Sequence, residues 1–137
     1  MDKTFTVEEA NRTLPLVSRI VDDLVRGHAR WEDKVREFEL ATVAAGPDRP
    51  DAVAELLQAE AQRLAEEIEG YIAELRDLGV ICKCMDTGLV DFPGHLDGRE
   101  VFYCWKLGEP EVQFWHQVDE GFVGRYRLHP LALTQSQ

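Results

Sequence analysis

The sequence predicts an α+β fold: a long antiparallel two-helix hairpin, preceded by a short helix and followed by a small antiparallel β unit. Three observations carry this. Two stretches repeat apolar residues at alternating steps of three and four, and a Gly46-Pro47 turn separates them. After Gly79 the pattern changes to short runs rich in β-branched and aromatic residues. The 137 residues read as one domain, with 1–79 as the helical part and 80–137 as the β part.

Thr6 followed by Glu9 has the spacing of a capping box, so a short helix is expected from Val7 to near Arg12. Pro15 disfavours helical geometry at Leu14 and suits the first turn of a new helix. In that second helix Leu14, Val17, Val21, Leu24, His28, Trp31, Val35 and Phe38 form a seam of coiled-coil type, running to about Val43. Asp48 is the expected cap of a third helix, with Pro50 in its first turn. Its seam is Leu57, Ala61, Leu64, Ile68, Tyr71, Leu75 and Leu78, and Gly79 is the natural stop. Short runs follow at Val80–Met85, Leu89–Pro93, Arg99–Leu107 and Val112–Val118, with a last short strand around Tyr126–Leu128. Pro93-Gly94, Asp97-Gly98 and Gly108 to Glu111 are the breaks between them.

The hairpin seams are wide, because Ile20, Val25, Val53, Leu56 and Ile72 flank them. A β unit covers only one end of such a hairpin, so a homodimer through the helices is expected. The formal net charge of -11 repels phosphate backbones and anionic membranes, which speaks against nucleic acid and membrane partners. Cys82, Cys84 and Cys104 make a poor disulfide framework, and the start MDKTFTVEEA lacks a secretory pattern. No apolar run approaches the roughly 20 residues of a membrane span. A cytoplasmic protein with reduced thiols is the expectation.

Several motifs occur in a telling order. Phe5-Thr6-Val7-Glu8-Glu9-Ala10-Asn11 and Leu14-Pro15 stand at the start. Gly88-Leu89-Val90-Asp91-Phe92-Pro93 and Asp97-Gly98-Arg99-Glu100-Val101 stand in the middle. Cys104-Trp105, Gly108-Glu109, Trp115-His116 and Gly121-Phe122-Val123-Gly124-Arg125 stand near the end. Together they resemble the domain-of-unknown-function family 2203, over nearly the whole chain. The likeness implies the element boundaries and a bacterial, cytoplasmic setting, and it implies no activity. Arg127 stands where the family pattern has proline, and Cys82 and Cys84 fall where it has no cysteine.

The reactive side chains concentrate in the β unit. If Cys104 opposes Phe114 across the Gly108 turn, then Phe102 opposes His116. Glu100, Phe102 and Cys104 then share a face with Val112, Phe114 and His116. Cys104 and His116 become diagonal neighbours, and Glu100 is the expected third ligand of a Zn²⁺ or Fe²⁺ site. Asp119 or Glu109 could approach it from a turn. The competing reading is that Cys104 packs as a small hydrophobe and His116 is simply hydrogen-bonded. A ligand pocket in this unit would draw on Asp91, Trp105, Glu109, Trp115 and Arg125, although the two tryptophans are better explained as packing. Cys82 and Cys84 point to one face of a strand if it is regular, as two packed thiols or a redox pair. Gly121 to Arg125 reads as a chain reversal, with Arg125 paired to Asp91 or Asp119, rather than as an anion cradle.

Two functions follow from these residues. One is a binding or scaffolding module, dimeric through its hairpin, whose β unit recognises a small molecule or a protein. The other is a small metal-dependent enzyme built on Cys104, His116 and Glu100.

Overall fold

The computed structural model describes residues 3–47, 51–120 and 124–128. Helix α1 spans Val7–Ala45 and helix α2 spans Ala52–Leu78. Five strands follow: β1 (Ile81–Cys84), β2 (Leu89–Leu96), β3 (Arg99–Lys106), β4 (Phe114–Gln117) and β5 (Tyr126–Arg127). They form one antiparallel sheet in the order β1-β2-β3-β4-β5. No described helix is long and apolar enough to cross a membrane.

The capping box at the start of α1 is complete. The Glu9 amide donates to Thr6 Oγ1 at 3.0 Å and the Thr6 amide to Glu9 Oε1 at 2.9 Å. The expected break at Pro15 is absent, and the short first helix and the second are one helix of 39 residues. Proline inside a helix costs about 3 kcal/mol. Here its ring is exposed, while Val7, Leu14 and Val17 on either side of it are buried on one face. Burying such side chains is worth about 1.5–3 kcal/mol each, which outweighs the proline.

Helix α2 is capped by Asp51, whose side chain accepts from the Val53 amide at 3.0 Å. The start expected at Asp48 and Pro50 therefore moves to Ala52, and those two residues lie outside the described ones. Its end is a Schellman motif. Gly79 has a φ of 90°, its amide bonds Arg76 O, and the Val80 amide bonds Leu75 O, each at 2.9 Å.

The sheet covers the base of the hairpin. Val90, Phe92, Val101, Tyr103 and Trp105 pack with Val17, Val21, Leu24 and Leu75 in one buried cluster. Burial along α1 ends at Gly27. Beyond it the seam residues Trp31, Val35 and Phe38 are only half-buried.

Strand β2 runs through Pro93-Gly94, where the sequence suggested an end. The Phe5 amide donates to Pro93 O at 2.7 Å, so the peptide edge of Pro93 faces the side where β1 has stopped. The donor that proline lacks is thus not needed by the ladder with β3. Gly94 is required for space, since a Cβ there would lie 2.3 Å from the Tyr103 ring and 2.7 Å from Phe5 O. Strand β4 starts later than expected because the Val112 amide is taken by Asn11 Oδ1 of α1 at 2.7 Å.

Candidate functional site

The turn between β2 and β3 sets the site. Asp97 and Gly98 both have positive φ, 53° and 78°, as a two-residue hairpin turn of type I′ requires. This turn pairs Leu96 with Arg99, and the ladder then runs without a bulge to place Asp91 opposite Cys104. Across the next turn Cys104 pairs with Phe114 and Phe102 with His116, the register assumed for the sequence. Alternation puts Asp91, Cys104 and His116 on the sheet face turned away from the helices.

These three side chains converge. One donor atom from each, a carboxylate oxygen, Sγ and a ring nitrogen, lies within 4.8 Å of the other two. They are 1%, 0% and 2% exposed. His116 Nε2 is 3.0 Å from Asp91 Oδ1, and Nδ1 is 2.8 Å from Gln117 O. A carbonyl oxygen only accepts, so Nδ1 carries a proton, and the neutral ring presents the lone pair of Nε2 to Asp91. Two acceptors then face each other unless a proton or a cation lies between them. Asp91 Oδ2 is buried without a hydrogen-bond partner among the described residues. Such an orphan costs about 1–3 kcal/mol.

The electrostatics agree with the burial. Removal from water raises the Asp91 carboxyl above its usual range, against the lowering pull of His116. Burial, reinforced by the Asp91 charge, pushes the Cys104 thiol up to about 12. Arg125 opposes this from 3.8 Å, its Nη1 facing Cys104 Sγ. Its guanidinium lies over the Phe114 ring at 3.5 Å and is ion-paired with Glu109. Glu109 is fixed in turn, since its Oε1 accepts from the Lys106 amide at 2.9 Å.

The sequence-derived residues divide accordingly. Cys104 and His116 come together, and Asp91, assigned from sequence to a pocket, is their third partner. Glu100 is not. It is exposed and pairs with His95 at the turn end of the hairpin, with Phe102 standing between it and Cys104. Asp119 is exposed as well. Arg125 pairs with Glu109 rather than with Asp91 or Asp119, while Gly121, Phe122 and Val123 of that segment lie outside the described residues.

Trp105 and Trp115 do not share a pocket with Asp91. Trp105 is buried toward the helices, donating from Nε1 to Glu109 O at 3.0 Å, and Trp115 packs against that core and against Tyr126. Cys82 and Cys84 are separated by a register shift, so the regular-strand placement on one face fails. Cys82 packs against the core and its thiol is raised by burial, whereas the Cys84 thiol is lowered by hydrogen bonding to Thr87. A second group of donors, His28, Glu32 and Asp86, joins α1 to the β1–β2 turn, but its two carboxylates are exposed.

The chemistry open to the buried triad is limited by its hydrogen bonds. A thiol–imidazole–carboxylate relay needs the imidazole to bridge thiol and carboxylate with its two nitrogens. Here the second nitrogen is held by a backbone carbonyl. A raised thiol with no exposed surface is also a poor nucleophile. A carboxylate, a thiolate and a neutral imidazole are a donor set for Zn²⁺ or Fe²⁺.

Neither a curated protein nor a solved structure matches this chain. A family model does, over residues 3–128, and so includes Asp91, Cys104, Glu109, His116 and Arg125. The chain belongs to the family of uncharacterized conserved proteins DUF2203.

Proposed function

We propose that this protein is a small metal-dependent enzyme, with one Zn²⁺ or Fe²⁺ ion held between Asp91, Cys104 and His116. The observation that carries the reading is the convergence of three buried donors, a carboxylate oxygen of Asp91, the Cys104 sulfur and a ring nitrogen of His116, within 4.8 Å of one another, with Asp91 Oδ2 lacking a hydrogen-bond partner among the described residues. A shared proton between Asp91 and His116 satisfies one oxygen and leaves the other unpaired. A divalent cation would take one donor atom from each of the three side chains. The Nδ1–H bond to Gln117 O is the supporting contact by which metal-bound histidines are usually oriented.

Asp91, Cys104 and His116 would supply three ligands to the ion, the number that catalytic rather than structural sites use. Such an ion would supply Lewis acidity, activating water at about neutral pH or polarising a carbonyl or phosphoryl oxygen. The test is metal analysis of untagged protein purified without chelator, together with Co²⁺ substitution. One equivalent of ion and a thiolate-to-cobalt absorption band are expected, both lost in Cys104→Ser and His116→Ala. Metal-free protein that fails to take up Zn²⁺, Fe²⁺ or Co²⁺ overturns the reading.

A separate observation favours a dimeric assembly. At the far end of the hairpin Leu40, Val43, Val53 and Leu56 are 66%, 81%, 59% and 68% exposed. These lie where the sheet gives no cover, and a second copy laid against them completes a four-helix arrangement. Light scattering is expected to return twice the chain mass of 15.6 kDa.

A further inference from the structure

The end of α2, the start of β1 and the outer ends of β2 and β3 enclose an open cleft of about 560 Å³. Its floor is apolar, made by Ile81, Pro93, Phe102 and Val118. Two bases, Lys3 and Arg76, and two acids, Asp77 and Glu100, also line it, and all four are exposed. Among the described residues none of the four forms an ion pair, with each other or with another side chain, and Lys3 Nζ lies over the Phe5 ring at 4.8 Å. Both signs of charge therefore share one concave surface without neutralising each other.

Elimination narrows the occupant. A plain anion gains from Lys3 and Arg76 but is repelled by Asp77 and Glu100. A plain cation meets the reverse. An uncharged apolar molecule strips water from charges that no opposite charge neutralises and returns nothing. A molecule that carries both charges on an apolar body satisfies every part of the lining, and the volume lies within the range of small-ligand sites.

We propose that this cleft binds a small zwitterion with an apolar body, the chemistry of a hydrophobic α-amino acid. Lys3 and Arg76 take the carboxylate, Asp77 and Glu100 take the ammonium, and the floor takes the side chain. Phe102 is the wall common to the cleft and the triad, its ring 5.4 Å from that of His116. The ligand thus lies one aromatic ring away from Asp91, Cys104 and His116. The inference stands on the cleft and does not require an ion at the triad.

Calorimetric titration tests it with three probes: L-phenylalanine, phenethylamine, which lacks the carboxylate, and phenylpropanoate, which lacks the ammonium. L-Phenylalanine is expected to bind, and each truncated probe to bind roughly tenfold more weakly. Lys3→Ala and Arg76→Ala should weaken L-phenylalanine and phenylpropanoate while leaving phenethylamine unchanged. Glu100→Gln should weaken L-phenylalanine and phenethylamine instead. Cys104→Ser should bind L-phenylalanine as the parent does, so that failure at the triad and failure at the cleft are told apart. All these positions except Cys104 are exposed, and circular dichroism checks each fold. Silence with L-phenylalanine overturns the proposal. So does a truncated probe that binds as tightly as L-phenylalanine, or an affinity untouched by Lys3→Ala, Arg76→Ala and Glu100→Gln together.

Discussion

Asp91 is held where an isolated carboxylate is least comfortable, with one oxygen opposite an imidazole and the other without a hydrogen-bond partner among the described residues. In metal-free protein its folded pKa is raised, so its cost to stability is absent below the unfolded carboxylate range and grows as pH rises through the folded value. Asp91→Asn removes that cost while keeping the shape. Metal-free Asp91→Asn should therefore match or exceed the parent in urea unfolding at neutral pH. Its affinity for Zn²⁺ should fall by about a hundredfold or more. A variant that is less stable and binds Zn²⁺ normally would assign Asp91 a purely structural role.

Cys104 yields a pH prediction of definite sign. The thiol titrates near 9.0 when unfolded and at about 12 when folded. Between those values the native state holds the proton that the unfolded state has lost, so stability falls as pH rises through that window. The slope should appear in metal-free protein and flatten in Cys104→Ala. Urea titrations of the two proteins at stepped alkaline pH measure the difference.

At the scale of the element, the start of α1 and the end of α2 were legible in the sequence because capping is local, whereas the cap of α2 falls at Asp51 and not at Asp48. Thr6 with Glu9 and Gly79 with Val80 act through bonds spanning a few residues, and the structure reproduces them. Pro15 lies inside α1 for the opposite reason. Its local penalty is real, yet long-range burial of Val7, Leu14 and Val17 decides the outcome. Strand β2 carries a second lesson of this kind. Its continuation past Pro93 depends on Phe5, far away in sequence, supplying the edge contact.

Gly94 tests how tightly that region is assembled. Gly94→Ala would drive a methyl group into the Tyr103 ring and the Phe5 carbonyl. Tyr103 is fully buried and bonded to His95 O at 2.6 Å, so it has nowhere to retreat. A loss of about 3 kcal/mol or more is expected in chemical unfolding. By contrast Gly98→Ala, which meets no neighbour, should cost about 1 kcal/mol through its positive φ alone.

For the whole molecule, the sheet secures one end of a hairpin whose other end is apolar and uncovered. If a second copy covers it, Leu40→Glu combined with Leu56→Glu should halve the mass seen by light scattering while leaving the sheet and its triad intact. Co²⁺ absorption in the same variant reports whether the site survives as a monomer. A parent protein that is already monomeric across the micromolar range removes the dimer from the account.

The amino-acid sequence by itself determined the two helical seams, their antiparallel return, the cap that opens α1, the glycine that closes α2 and the change to strands after Gly79. Each depends on periodicity or on bonds that reach only a few residues. It also placed Cys104 near His116, since one turn and one register connect them. Only the tertiary structure decided that Asp91 rather than Glu100 joins them, and that Arg125 turns to Glu109. Counting back from the Asp97-Gly98 turn would have reached Asp91. What no counting supplies is the burial of Asp91, Cys104 and His116, because that requires strands β2, β3 and β4 to be in place together, with Arg125 laid against Cys104.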